Sequence, residues 1–206
     1  TLTQEKKALE NSMRDLKAEK DSQKKVTAGT ALFNLGPRPA PAAKTQADKA
    51  QEQRDKDLAE WLDKGLAAER KGQYTAALVA YEKAGAGGHE SADILLGKAR
   101  CLLRLEEMGE ALAMMQALIR KEPGNAEAYN ILGAIRMEQG QMKEASTALE
   151  KALELNSKLS DAHFNLAQVL CVLGPGNREK ARRHYLRAIE LGVRPDPDLE
   201  KMLGLP

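Results

Sequence analysis

Large aromatic side chains are scarce in this sequence: one Trp, four Tyr and two Phe in 206 residues, or 3% of the chain. That excludes one large core built on stacked rings and favours packing through small and aliphatic side chains, here Ala and Leu. An excess of one charge is also missing. Lys and Arg total 32 against 30 Asp and Glu, for a formal net charge of +2. Neither side of residue 58 is polarised, so no basic face for nucleic acid is expected. Cysteine is limited to Cys101 and Cys171, with no Cys-x-x-Cys, and His89, His163 and His184 show no ligand spacing. No metal and no cofactor is therefore expected, and the cysteines read as small buried hydrophobes. No apolar run approaches the roughly 18 residues of a membrane span. A phosphate loop, a nucleophile–base pair and a metal cluster are all lacking, which argues against an enzyme. The adjacent Glu106 and Glu107 read as solvated turn residues.

What is present is organised in three stretches. Residues 1–26 are polar and helix-favouring, with Leu2, Leu9 and Leu16 seven apart and Met13 between them. This is the pattern of a heptad seam, short enough that a solvated single helix is the competing reading. The seam makes homo-oligomerisation through residues 1–26 an expectation. Residues 27–43 lose nearly all charge and collect Gly36, Pro37, Pro39 and Pro41, the composition of an extended Pro/Ala linker. Its apolar patch Leu32-Phe33-Asn34-Leu35 fits docking onto the helical body as well as a loose linker. Residues 44–57 are a charged helix-former leading into the third stretch, 44–206. The chain begins at Thr1 in mid-pattern, as expected where the natural start lies upstream.

From residue 58 the sequence repeats itself every 34 residues, with repeats beginning at Leu58, Ala92, Ala126 and Ser160. Position eight holds Gly65, Ala99, Gly133 and Ala167. Position twenty holds Ala77, Ala111, Ala145 and, after a two-residue insertion, Ala181. Position twenty-four holds Tyr81, Met115, Leu149 and Tyr185, and position twenty-seven Ala84, Leu118, Ala152 and Ala188. Position four holds Trp61, Leu95, Tyr129 and His163. Small residues at eight and twenty let the two helices of a hairpin approach closely, and large ones at four and twenty-four fill the space beside them. Gly72 and Gly140 stand where a first helix must stop. Each hairpin leaves an apolar face for the next to cover. After the last repeat, Asp196-Pro197 supplies a cap and a first-turn proline for a covering helix over about 197–204.

These columns resemble the tetratricopeptide-repeat (TPR) family, whose 34-residue pattern is W-x2-L-G-x2-Y…A-x3-F…P. The resemblance covers about 58–195. It implies an all-α fold, a TPR right-handed superhelix (α–α solenoid), preceded here by the N-terminal helical, possibly coiled-coil, segment. Departures are the usual Leu at position seven replaced by Lys64 and Lys98, and the inserted turn Gly174-Pro175-Gly176-Asn177. The lysines are expected either to snorkel or to mark hairpins that pack on the N-terminal segment.

The resemblance also implies a concave groove lined by the first helix of each hairpin at positions two, five, six, nine, twelve and thirteen. Carried over, the candidate partner-binding residues are Leu66, Arg100, Arg104, Asn130, Met137, Phe164, Asn165 and Gln168. Leu62, Asp63, Arg70, Leu96, Leu103, Ile131, Ala134 and Cys171 occupy the same positions. Arg100 and Arg104, one turn apart, suit a carboxylate. Asn130 and Asn165 suit a peptide backbone, and Met137 and Phe164 an apolar side chain. The chaperone-binding TPR subclass grips a C-terminal carboxylate with Lys, Asn and Arg at positions that here carry Leu62, Leu66, Gly97, Glu127 and Ile131, so that specificity is not expected.

The function implied is a protein-interaction scaffold or adaptor with a protein or peptide ligand. The alternative is a regulatory or anchoring part of a larger bacterial cell-envelope complex, or of an enzyme whose other domain lies upstream of residue 1. The layout of helical segment, linker and repeat array is similar to bacterial cell-envelope proteins that join a coiled-coil oligomeriser to a TPR domain. That makes a periplasmic or envelope location the expectation, with the cytoplasm as the other possibility.

Overall fold

A computed structural model describes residues 45–86, 88 and 90–205. The expectations for segment 1–26 and linker 27–43 fall outside these residues. The chain divides into two units, Thr1–Lys49 and Ala50–Pro206. In the described part of the first, Thr45 and Asp48 form a reciprocal capping box. The Thr45 N–H donates to Asp48 Oδ2 at 2.8 Å and the Asp48 N–H to Thr45 Oγ1 at 3.2 Å.

The described residues contain helices and no strand. In order these are α1 (Gln46–Arg70), α2 (Tyr74–Gly85), α3 (Ala92–Arg104), α4 (Met108–Lys121), α5 (Ala126–Glu138), α6 (Met142–Leu155), α7 (Ser160–Val172), α8 (Arg178–Glu190) and α9 (Pro197–Leu203). A 3-10 turn at Pro175–Asn177 lengthens the connection between α7 and α8. Helices α3, α5 and α7 begin 34 residues apart, as do α2, α4 and α6. From α2 on, each helix packs on its successor, and first helices also touch across repeats, α3 on α5 and α5 on α7; α1 meets α2 through Trp61 and Leu62 beside Tyr81. This is the all-α solenoid that the columns imply.

Side-chain size along the columns explains the packing. Ala99 and Ala167 at position eight are buried, as is every position-twenty alanine. Into the space they leave go Tyr81, Met115, Leu149 and Tyr185, each no more than 1% exposed. Burying each such side chain stabilises the fold by about 2–3 kcal/mol. A Cβ on Gly133 would lie 2.5 Å from Leu149, and one on Gly65 2.7 Å from the Tyr81 ring. The same ring lies 2.5 Å from where a Cβ would stand on Gly97, in the next hairpin. Tyr81 is thus wedged between consecutive first helices, and both places against it must be glycine.

Position fifteen ends each first helix in left-handed backbone. Gly72, Gly140 and Gly174 occupy it with φ of 72°, 73° and 115°. In the second repeat it is Glu106, with φ 64°, the one non-glycine residue of positive φ among those described. The motif is otherwise the same: the N–H of Gln73, Glu107 and Gln141 bonds back to the carbonyl of Ala68, Leu102 and Arg136.

The position-seven lysines snorkel. Lys98 is largely buried along its stem and brings Nζ to 3.7 Å from Glu90. Lys64 pairs with Glu60 at 2.6 Å and lies 4.2 Å from the Trp61 ring, with Lys83 on the same ring at 4.3 Å. At the far end Asp196 caps α9, accepting from the N–H groups of Asp198 and Leu199. The helix carries Leu199 and Leu203 onto the last core cluster. Arg182 ties it down by donating to the Leu203 and Gly204 carbonyls.

His163 and His184, unrelated in sequence spacing, meet between α7 and α8. Their Nδ1 atoms are 2.9 Å apart, and His163 Nε2 is 3.2 Å from the Ser157 carbonyl. A carbonyl accepts only, so His163 Nε2 carries the proton and its Nδ1 accepts from His184 Nδ1–H. The His184 ring is neutral in this arrangement. Burial, then the His163 ring and Lys180, lower His184 to about 4, with Glu150 opposing and Arg183 adding to them.

Two outcomes follow from these local features. Glu106→Gly should raise unfolding stability by about 1 kcal/mol by removing the left-handed penalty on a Cβ; a urea midpoint that falls would show the strain to be absent. For His184, the folded value lies below the ordinary 6.5, so the unfolded chain binds more protons between these values. The stabilisation is whole above pH 6.5 and is lost as pH falls toward 4. His184→Asn, which keeps an N–H donor without a titrating ring, should show a smaller fall in Tm over that window than the parent chain. Equal falls would contradict the lowered His184 value.

Candidate functional site

The first helices α1, α3, α5 and α7 leave a groove of about 800 Å³ along one side of the unit Ala50–Pro206. All eight residues singled out from the sequence line it: Leu66 from α1, Arg100 and Arg104 from α3, Asn130 and Met137 from α5, and Phe164, Asn165 and Gln168 from α7. Arg70, Leu103, Ile131 and Ala134 join them. Four carried-over residues do not. Leu96 is buried in the second core cluster, Leu62 packs toward Tyr81, and Cys171 packs toward the C-terminal core. Asp63 is exposed outside the groove. Position five therefore faces the core in the first two repeats and the groove in the last two.

Glu69, Glu138, Asp161, Tyr74 and Val193 also line the groove. The first three stand at positions twelve, thirteen and two, the very columns that point inward, so the same periodicity marks them. Tyr74 opens α2 and Val193 follows α8, and no first-helix pattern reaches them.

The electrostatics differ from a two-arginine clamp. Arg100 is engaged by the protein itself. Its Nε donates to Glu69 Oε1 at 2.6 Å and its Nη2 to Oε2 at 3.2 Å. Tyr81 Oη donates to Glu69 Oε2 at 2.8 Å, and Glu127 lies 3.9 Å from Arg100 Nη1. Burial, and then the Glu69 carboxylate, raise the Tyr81 hydroxyl far above its ordinary range, so it stays a donor. The Arg100 charge is answered on the spot, and of the expected pair only Arg104 is left uncommitted. Its guanidinium lies over the Tyr74 ring at 5.9 Å and forms no ion pair among the described residues. Stacking of this kind leaves the N–H edge free for a planar acceptor.

Asn165 Nδ2 donates to Asn130 Oδ1 at 3.1 Å across neighbouring repeats. The bond orients both amides and leaves the Asn130 amide N–H groups and the Asn165 carbonyl oxygen available to a ligand. Phe164, its ring 6.4 Å from that of Tyr185, and the half-buried Met137 supply apolar surface beside them. The cysteines add no reactive group. Burial raises the Cys101 thiol to about 11 and also raises Cys171, so both remain protonated. Among the described residues no three His, Cys, Asp or Glu side chains gather as a metal site, and no helix is long and apolar enough to cross a membrane.

Comparison with known proteins agrees with the fold. Two family models match in sequence, one for the tetratricopeptide repeat over residues 68–135 and one for the TPR repeat over 133–174. Together they span just over half of the chain. No curated protein matches it. Among solved structures, the thermophilic TPR protein TTC0263 of Thermus thermophilus is 23% identical with a TM-score of 0.60, over 71% of this chain and 79% of that one. MamA 41-end from Desulfovibrio magneticus RS-1 is 22% identical with a TM-score of 0.52, over 70% and 79%. The first TPR of Spaghetti (RPAP3), solved with the HSP90 peptide SRMEEVD, is 21% identical with a TM-score of 0.51, over 57% and 94%. At these identities the likeness is one of fold.

Glu69→Gln should lower unfolding stability by about 1–2 kcal/mol by leaving Arg100 without its anion. An unchanged urea midpoint would show that solvent replaces the pair at no cost.

Proposed function

We propose that this chain, which belongs to the tetratricopeptide-repeat family, is a protein-interaction scaffold that holds an extended segment of a partner protein in its concave groove. The observation that carries this is the state of the groove's polar groups. The two asparagines orient each other yet keep donors and an acceptor in hand, and Arg104 is stacked and unpaired. Oriented, unsatisfied hydrogen-bonding groups beside apolar side chains are what an extended peptide needs, since its backbone presents a donor and an acceptor at each residue.

Fold alone does not specify a ligand. The RPAP3 domain of like fold is seen with an HSP90 peptide, which supports a peptide as the kind of ligand. The positions used for such chaperone carboxylates carry Leu62, Leu66, Gly97, Glu127 and Ile131 here, so a different ligand chemistry is implied.

The test is affinity capture by the whole chain, with captured proteins identified by mass spectrometry and their affinities measured. Arg104→Ala/Met137→Ala, two substitutions at solvent-accessible groove positions, should weaken the specific partner at least about tenfold while the helical circular dichroism is kept. Unchanged capture by the folded variant would place binding elsewhere.

A further inference from the structure

Charge in the groove is ordered along its length. Six charged side chains line it: Glu69, Arg70, Arg100, Arg104, Glu138 and Asp161. Glu69 and Arg100 cancel each other. Of the remaining four, Arg70 and Arg104 are exposed cations on α1 and α3, whereas Glu138 and Asp161 are exposed anions on α5 and α7. None of the four forms an ion pair among the described residues; the one polar neighbour is the Ser160 hydroxyl, 3.5 Å from Asp161 Oδ1. Column thirteen shows the reversal over three repeats, reading Arg70, Arg104, Glu138, and then Val172. The same helices α5 and α7 carry Met137, Phe164 and the Asn130–Asn165 pair beside these anions.

Resting on the groove reading above, we infer that the partner segment is dipolar: acidic side chains over α1 and α3, an apolar side chain against Met137 and Phe164, and Lys or Arg over α5 and α7. The warrant is charge complementarity. Unpaired charges of one sign at each end attract the matching segment and repel one laid in the opposite sense or bearing a single charge. Arg104, its guanidinium over the Tyr74 ring at 5.9 Å, presents a fork to an Asp or Glu carboxylate. Helices pack about 8–10 Å apart, so α3 to α7 spans about 18 Å, covered by about five or six extended residues at about 3.3 Å each. Acidic and basic residues are therefore expected about that far apart in the segment.

A displayed library of random peptides about twelve residues long, panned against the full chain, tests this. The expected enrichment is acidic residues toward one end and basic residues with an apolar residue toward the other, in either chain direction. A synthetic copy of an enriched peptide with blocked termini should bind about tenfold more weakly to Arg104→Glu, and exchanging its acidic residues for Lys should recover that loss. Enriched peptides that are displaced by Asn165→Ala or Met137→Ala but show no separated opposite charges would overturn the charge order and leave the groove as the binding face. Peptides indifferent to every groove substitution, or no enrichment at all, would overturn both.

Discussion

The ring of Tyr81 is held between two positions that cannot carry a side chain, Gly65 in its own hairpin and Gly97 in the next. That wedge sets how closely α1, α2 and α3 approach, and so where the first two helices of the groove stand. Its hydroxyl then leaves the core and reaches Glu69, which holds Arg100. One residue thereby couples the packing of two repeats to the electrostatics of the surface they form. In the later repeats the wedge is smaller, Met115 or Leu149, and position six of the following hairpin has room for Ile131 and Asn165. Tyr185, in the fourth repeat, accepts from the Asp196 N–H and donates to Glu200, joining that repeat to α9.

The repeat was legible because its period and its small-residue columns are local consequences of helix-on-helix packing, which the same four positions must satisfy every time. The groove columns were legible for the same reason: a first helix that buries one face must expose the other. What the columns do not carry is which groups satisfy one another across repeats. Arg100 and Glu69 are 31 residues apart and Asn130 and Asn165 are 35 apart. Each pairing depends on how far one hairpin is rotated against the next, and position five shows the effect by switching from core to groove between the second and third repeats. The meeting of His163 with His184 depends likewise on the lengthened turn between α7 and α8. Tyr74 and Val193 come from helix connections, where no period operates.

The division of labour is clear in physical terms. The second helices supply Tyr81, Met115, Leu149 and Tyr185 to the core. The first helices use their inner sides to pack and their outer sides to present amides, a stacked guanidinium and apolar surface. Hydrogen–deuterium exchange of the full chain, alone and saturated with a captured partner, tests this account most directly. Binding in the groove predicts slowed exchange along α3, α5 and α7, with α4 and α6 unchanged. Protection confined to α4 and α6 would contradict it.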